Sequence, residues 1–382
     1  MKRFLKLNII LLLPIICSLS GCAENDPESV TFQLKSFDSE VSIHTEEQKS
    51  FFKETDFSNN LTKYGLGEEE KTYPLPVSLE WSVIKARQYI IKVSEKEDMS
   101  NPWEFTSKKL KFDLYNCKIN TTYYWTVSAV YKSNTFTSEV SSFKTAKDGA
   151  RTLYAEGVNN LRDLGGYDLG DNHTFKQGMI YRSAKFNESS SSSIVNNVTK
   201  NGIGTLVNQL GIKSDIDLRK VEAGSDGTIE TSGLTSSPLG STVSYVNCPM
   251  YYDGSTVISH TSSEKDAYNK ANIKKMFDYM ANENNYPMVF HCTQGKDRTG
   301  AIAYLLESLL GVSNEDKARD YLFTNMSSIG GGACKYNAIT TGYNTILKKY
   351  SGETIQEQAN SYLLDIGVTQ ENINKIKDIL ID

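Results

Sequence analysis

Residues 286–312, YPMVFHCTQGKDRTGAIAYLLESLLGV, limit the fold of this chain more than any other stretch. A short apolar run opened by Pro287 (286–292) has the length of a buried strand, and TGAIAYLLESLLGV (299–312) that of an apolar helix. A polar loop joins them. A buried strand that feeds a buried helix through a tight loop is the unit of an α/β layer, in which helices cover the faces of a sheet. The surrounding pattern agrees. SDIDLR (214–219) and VSYVNCPM (243–250) read as short strands, and GTLVNQLGI (204–212) as a helix or buried segment. Residues 263–284 place Tyr268, Ala271, Met276, Phe277 and Met280 at helical spacing, with Ser263 as cap. The stripe Tyr336, Ile339, Tyr343, Ile346, Leu347 and Tyr350 reads as core packing rather than a lid over substrate. A last helix is capped near Thr369 and carries Ile373, Ile376 and Ile379. The serine run at 189–193 and the glycines at 330–332 read as loops without a site.

The loop HCTQGKDRTG (291–300) carries the chemistry. It wraps a helix N-terminus, where backbone N–H groups from Thr293, Gln294, Gly295, Lys296, Asp297 and Arg298 can form a nest for an anion. The same field favours the thiolate form of Cys292. Arg298 adds a planar fork able to hold two oxygens of a phosphate, which a lysine as a point charge cannot do. These parts imply thiolate attack on a phosphoryl ester and a cysteinyl-phosphate intermediate, stabilised by fixed donors. The Thr299 hydroxyl can donate to the sulfur as it leaves. His291 braces the loop rather than acting as a base. A nucleotide-binding P-loop is excluded because Asp297 follows Lys296 where serine or threonine is needed, and the upstream glycine is missing. A purely structural core cysteine explains Cys292 but not the residues after it. No metal-ligand cluster or cofactor motif is evident, and the chemistry needs neither.

The first half of the chain differs. PVSLEWSV (76–83), ARQYIIKVSE (86–95), NTTYYWTVSAVY (120–131) and SEVSSFKT (138–145) alternate apolar and polar residues, as strands of a β-sandwich do. Trp81 and Thr121-x-Tyr123-x-Trp125-x-Val127 resemble the core tryptophan and corner tyrosine of a fibronectin type III domain. Cys117 and Ile119 depart from that pattern, and another sandwich family stays open. Residues 45–72 fit it poorly and read as a long loop or insertion. TAKDGART (145–152) reads as the linker. This domain shows no chemistry of its own, so a spacer or binding module is expected.

MKRFLK followed by an apolar run and LSGC resembles a bacterial lipoprotein signal, which implies lipidation of Cys22 and loss of residues 1–21. Without Lys2, Arg3 and Lys6 the chain is more acidic than its formal net charge of −5, so attachment would rest on the lipid rather than on basic residues. The same charge argues against nucleic acid as a partner. An exported protein is expected, anchored to a membrane on its periplasmic or cell-surface side. Of the six cysteines, Cys17 goes with the leader and Cys22 takes the lipid, which leaves Cys117, Cys248, Cys292 and Cys334, too widely spaced for a disulfide framework or zinc site. A reversible disulfide from Cys248 or Cys334 to Cys292 would guard an exposed thiolate against oxidation.

HCTQGKDRTG resembles the signature loop of the cysteine-based protein tyrosine phosphatases, in the Gly-Lys-Asp-Arg form of the atypical bacterial tyrosine/serine phosphatases. NLRDLGGY (160–167), IYRSAKF (180–186), GIKSDIDLRKVEAG (211–224) and DYLFTN (320–325) extend the resemblance over 151–382 in family order. It implies an α/β catalytic domain over 148–382, with a central, mostly parallel sheet flanked by helices, after a sandwich over 22–147. It implies Cys292 as nucleophile, Arg298 as phosphate clamp and Asp297 as general acid; Asp253 in MYYDG is the alternative acid. Arg162, Asp163, Asp217 and Arg219 are read as structural ion pairs. The implied substrates are phosphotyrosine proteins, with phosphoserine or dual-specificity activity open, or inositol phosphates and phosphoinositides, which Lys296 at the pocket rim would suit. A surface protein that binds anions on a silent phosphatase fold is the reading from another class, and intact Cys292, Asp297 and Arg298 speak against it.

Overall fold

The computed structural model describes residues 26–187, 197–219, 234–252, 257–329 and 332–382. The expected leader with Cys22, the serine run and Asp253 lie outside the described residues.

Eight strands build the N-terminal half: β1 (Gln33–Leu34), β2 (Val77–Ser82), β3 (Gln88–Ser94), β4 (Trp103–Ser107), β5 (Lys111–Leu114), β6 (Thr122–Val130), β7 (Thr135–Thr137) and β8 (Ser141–Lys144). They form two antiparallel sheets, β1-β2-β5 and β4-β3-β6-β7, with β8 also paired to β6. Alternation explains the packing. Val77, Leu79 and Trp81 of β2 face inward, as do Tyr89, Ile91 and Val93 of β3 and Tyr123, Trp125, Val127 and Ala129 of β6, and all are buried in one cluster.

The C-terminal half is built on a five-stranded sheet. Its strands are β9 (Arg162–Asp163), β12 (Ile180–Ser183), β13 (Ser214–Asp217), β14 (Ser244–Asn247) and β15 (Met288–His291), in the order β14-β13-β15-β12-β9. β10 (Asp168–Gly170) and β11 (His173–Thr174) form a small separate hairpin. The pairs β14/β13, β13/β15 and β15/β12 are parallel, and only β9 runs antiparallel. Parallel strands need covered faces, and the helices supply the cover. After the short α2 (Lys200–Gly204) come α3 (Ser263–Met280), α4 (Asp297–Leu310), α5 (Asn314–Phe323), α6 (Asn344–Leu347), α7 (Ile355–Asp365) and α8 (Gln370–Leu380). Every residue of α4 from Arg298 to Leu310 is buried, so the helix is enclosed on all sides rather than turning one face to solvent.

Three local expectations are corrected. The cap of α3 is Ser262 rather than Ser263, and its side chain makes no capping hydrogen bond. Tyr268 and Ala271 of that helix are exposed, while Asn269 and Ile273 are buried. Asn269 is turned inward because its amide serves Tyr251 N and O and Val257 O. The third correction concerns residues 45–72, which are not a loose insertion. They hold α1 (Glu46–Phe52), opened by a capping box in which Thr45 and Gln48 serve each other's backbone N–H groups. Phe51, Phe57, Leu61 and Tyr64 then join the core cluster of the C-terminal half. Polar contacts close the junction: His44 bonds Asp148 (2.6 Å) and Ala150 O (2.7 Å), and buried Arg151 donates to Asn116 O (2.6 Å) and Cys117 O (3.2 Å).

Candidate active site

Register places the signature loop. Ser183 of β12 and Asp217 of β13 both pair with His291 of β15, so three parallel strands end level and Cys292 is the next residue. The loop 292–296 therefore lies at the carboxyl edge of the sheet, where open α/β sheets receive ligands. The helix starts at Asp297, and the side chain of its cap residue Lys296 makes no capping hydrogen bond.

Buried polar groups hold the loop from behind. His291 bonds Asp215 Oδ1 through Nε2 (2.9 Å) and reaches the Cys292 carbonyl through Nδ1 (3.3 Å), so it braces the loop, as its position predicts. Asn160 donates to Gln294 O (3.1 Å) and Gly295 O (3.3 Å), Arg182 Nη2 to Gly295 O (2.6 Å), and Lys185 N to Thr293 O (3.1 Å). Asp320 of α5 bridges Arg182 and Arg162, and Arg162 Nη1 in turn donates to Asn160 Oδ1 (2.5 Å). Asp217 takes a two-pronged bond from Arg219 (2.9 and 2.8 Å), and Asp163 pairs with Arg151 (2.7 Å). Arg162, Asp163, Asp217 and Arg219 thus form structural ion pairs, as expected.

Burial alone would raise the carboxyls of Asp217 and Asp320. In Asp217 the neighbouring His291 and Arg219 outweigh burial, and in Asp320 Arg162 and Arg182 do, so both sit below the usual carboxylate value. Asn160, Arg182, Lys185, Asp215 and Asp320 had no role assigned from sequence. All five sit inside the motifs read from sequence, but their partners lie too far along the chain for spacing to show.

At the open side, Cys292 (2 % exposed) and Arg298 (3 % exposed) are both buried, with Arg298 Nη1 3.5 Å from Leu218 O just beyond β13. Thr299 is fully buried and its hydroxyl has no hydrogen-bond partner; no bond to the sulfur is formed. Gln294, Lys296 and Asp297 are partly exposed. Lys296 and Asp297 line a cleft of about 370 Å³ together with Tyr252, Tyr321, Lys335 and Tyr343. Burial pushes the Tyr252 phenol up, and the hydrogen-bonded carboxylate of Asp297 pushes it further. The other three described cysteines are free and buried; burial raises Cys248 to about 11 and Cys117 and Cys334 to about 12, which makes them poor nucleophiles.

The tyrosine phosphatase family matches residues 153–382. A curated tyrosine-protein phosphatase of Nostoc commune is 27% identical over 136 residues, which cover 29% of this chain and 44% of that protein, less than half its length. Among solved structures, the core catalytic domain of the PP-IP phosphatase SIW14 from S. cerevisiae, in complex with citrate, aligns with 49% of this chain and 84% of its own (14% identity, TM-score 0.26). TpbA from P. aeruginosa, in complex with pTyr, aligns with 56% of this chain and 91% of its own (14% identity, TM-score 0.26). With more than half of its length matched, this chain belongs to the tyrosine phosphatase family.

Proposed function

We propose that this protein is an exported, lipid-anchored phosphomonoester hydrolase that acts on phosphotyrosine proteins through a cysteinyl-phosphate intermediate. The observation that carries this is the convergence of Cys292 and Arg298, both buried, on a loop at the sheet's carboxyl edge and at the N-terminus of α4. In the first step Cys292 Sγ attacks phosphorus, the ester P–O bond breaks, and the leaving oxygen takes a proton from Asp297. In the second, water attacks the thiophosphate, Asp297 takes its proton, and phosphate leaves with the sulfur returned as thiolate. Arg298 and the loop N–H groups meet the charge on the transferring group. Thr299, whose buried hydroxyl is unpaired, is the donor available to the sulfur. Asp297 is preferred as the acid because it follows the loop directly and lines, with Lys296, a cleft beside it.

Lys296 and Lys335 in that cleft favour a second reading, in which the substrate carries a further phosphate, as phosphoinositides and inositol polyphosphates do. The N-terminal half is proposed to be a fibronectin type III-like spacer or binding module. Its two antiparallel sheets, of three and five strands, enclose one core, and Tyr123 at the start of β6 accepts from Lys118 N (2.7 Å) as a corner tyrosine would. The likeness of residues 1–22 to a lipoprotein signal supports a periplasmic or cell-surface position.

A substrate panel on the lipid-free protein tests the reading, with Cys292→Ser, Asp297→Ala and Asp253→Ala alongside. Turnover of phosphotyrosine peptides that vanishes in Cys292→Ser is expected. Strong preference for inositol phosphates would replace the first substrate by the second. Turnover that survives in Cys292→Ser would refute the mechanism, and wild-type binding without turnover would favour an anion-binding protein. A larger loss in Asp253→Ala than in Asp297→Ala, for substrates with poor leaving groups, would move the acid to Asp253.

A further inference from the structure

Residues 54–73 precede the family-matched region, which begins at 153, yet they touch both supports of the candidate active site. The first support is the wall of the cleft beside Lys296 and Asp297, which includes Ala333, Cys334 and Lys335. Asn60 Oδ1 accepts from Tyr336 N (2.7 Å), and Asn60 O accepts from Asn325 Nδ2 (3.0 Å). Asn325 also bonds Cys334 at both N (2.5 Å) and O (3.2 Å), so one amide ties the wall to the N-terminal segment. Phe57 packs against Tyr336 with ring centroids 5.2 Å apart.

The second support is the back of the signature loop. Glu70 Oε2 accepts from Ser327 Oγ (2.7 Å), Ser328 N (3.1 Å) and Ser328 Oγ (3.4 Å), while its other oxygen serves Thr72. Ser328 Oγ and O accept from Asn159 Nδ2 (2.8 and 3.3 Å), and Tyr73 OH donates to Asn159 Oδ1 (3.2 Å). The next residue, Asn160, holds the carbonyls of Gln294 and Gly295. Backbone contacts make the seam continuous: Gly67 N donates to Asn325 O (3.0 Å) and Lys71 N to Met326 O (2.6 Å). Gly65 lies so close to the Asn325 carbonyl that a Cβ there would stand 2.9 Å from the carbonyl carbon. Arg319, one residue before Asp320, donates to Glu54 O through Nε (3.1 Å) and Nη2 (3.0 Å).

We propose that residues 54–73 are a positioning strap of the active site, with Glu70 as its principal positioning residue, fixing the loop through Ser328 and Asn159 and the cleft wall through Asn325 and Asn60. The proposal rests on the reading of Cys292 as the nucleophile. It gives the N-terminal half a direct part in catalysis, because the segment between β1 and β2 of the sandwich crosses the back of the phosphatase site. A loop held from one side only has more room to move, and small displacements of preorganised donors cost large factors in rate.

The test uses the full chain, p-nitrophenyl phosphate as substrate and inorganic phosphate as inhibitor, for the wild type, Glu70→Ala, Glu70→Gln, Tyr73→Phe and Cys292→Ser. Ile91→Ala, in the sandwich core away from the strap, is the stability control. The expected result is at least a ~10-fold lower kcat/KM and weaker phosphate inhibition in Glu70→Ala, with Glu70→Gln recovering most of both and Tyr73→Phe losing a few-fold. Ile91→Ala, at a similar drop in melting temperature, is expected to keep wild-type kcat/KM. Wild-type kinetics in Glu70→Ala would overturn the proposal, as would a loss in Ile91→Ala equal to that in Glu70→Ala. Should Glu70→Ala not fold, wild-type kinetics in folded Glu70→Gln and Tyr73→Phe together would overturn it. Activity that persists in Cys292→Ser would instead strike the underlying mechanism, so the two failures are distinguishable.

Discussion

Replacing Gly295 by alanine tests the loop geometry with a single carbon. Gly295 has φ = 67°, a left-handed conformation that costs about 1–2 kcal/mol in a residue with a side chain. A Cβ there would strike the Ser183 carbonyl at the end of β12, standing 2.6 Å from its carbon and 2.9 Å from Ala184 N. Ordinary contact lies near 3.4 Å, so strand or loop must retreat by nearly 1 Å. That retreat strains the bonds from Arg182 Nη2 to Gly295 O (2.6 Å) and from Lys185 N to Thr293 O (3.1 Å), each worth about 1 kcal/mol. The sum is about 3–4 kcal/mol of stability. A displacement of that size in a preorganised site is expected to lower kcat/KM by roughly 100-fold. Urea unfolding followed by tryptophan fluorescence, and steady-state hydrolysis of p-nitrophenyl phosphate, measure the two effects. An alanine variant within about 0.5 kcal/mol of wild type in stability and about twofold in kcat/KM would refute the argument that contact with β12 sets the loop.

Asp320→Asn leaves Arg162 and Arg182 without their shared counter-charge in a buried site, and should cost about 3–5 kcal/mol in denaturant unfolding and weaken phosphate inhibition. Asp217 and Asp320 both have carboxyl pKa values lowered from 3.8 on folding, so the stability they contribute is present above the unfolded value and is lost as pH falls through the folded one. Thermal midpoints should therefore drop below about pH 4, and Asp217→Asn should show a shallower drop. Asn269→Ala removes three hydrogen bonds to the segment leading into the cleft at Tyr252, and should cost roughly 2–3 kcal/mol in thermal unfolding.

The fold class of the C-terminal half was legible because its strand–loop–helix segment pairs a short apolar run with a long one, and periodicity separates those by length alone. The inward faces of β2, β3 and β6 were legible for the same reason. The shorter β4, β5 and β7 were not, since three to five residues carry too little alternation to stand out. On α3 the helical stripe drew attention to Tyr268, but Asn269 is the buried neighbour, because hydrogen bonds to a distant segment decided which side turned inward.

In the site, Cys292, Asp297 and Arg298 were legible as candidates, because local spacing puts a thiol, an acid and a guanidinium on one tight loop at a helix start. The groups that hold the loop do not. Asp320 lies 158 residues from Arg162 and 138 from Arg182, and Ser328 is 258 residues from Glu70. A buried carboxylate gains a partner only when packing brings one to it, and no local pattern encodes that meeting. The sequence by itself determined the proposed reacting groups, since ten consecutive residues carry them. The tertiary structure alone decided what positions them, including a strap from the N-terminal half, since ion pairs and buried hydrogen bonds depend on distance in space and not along the chain.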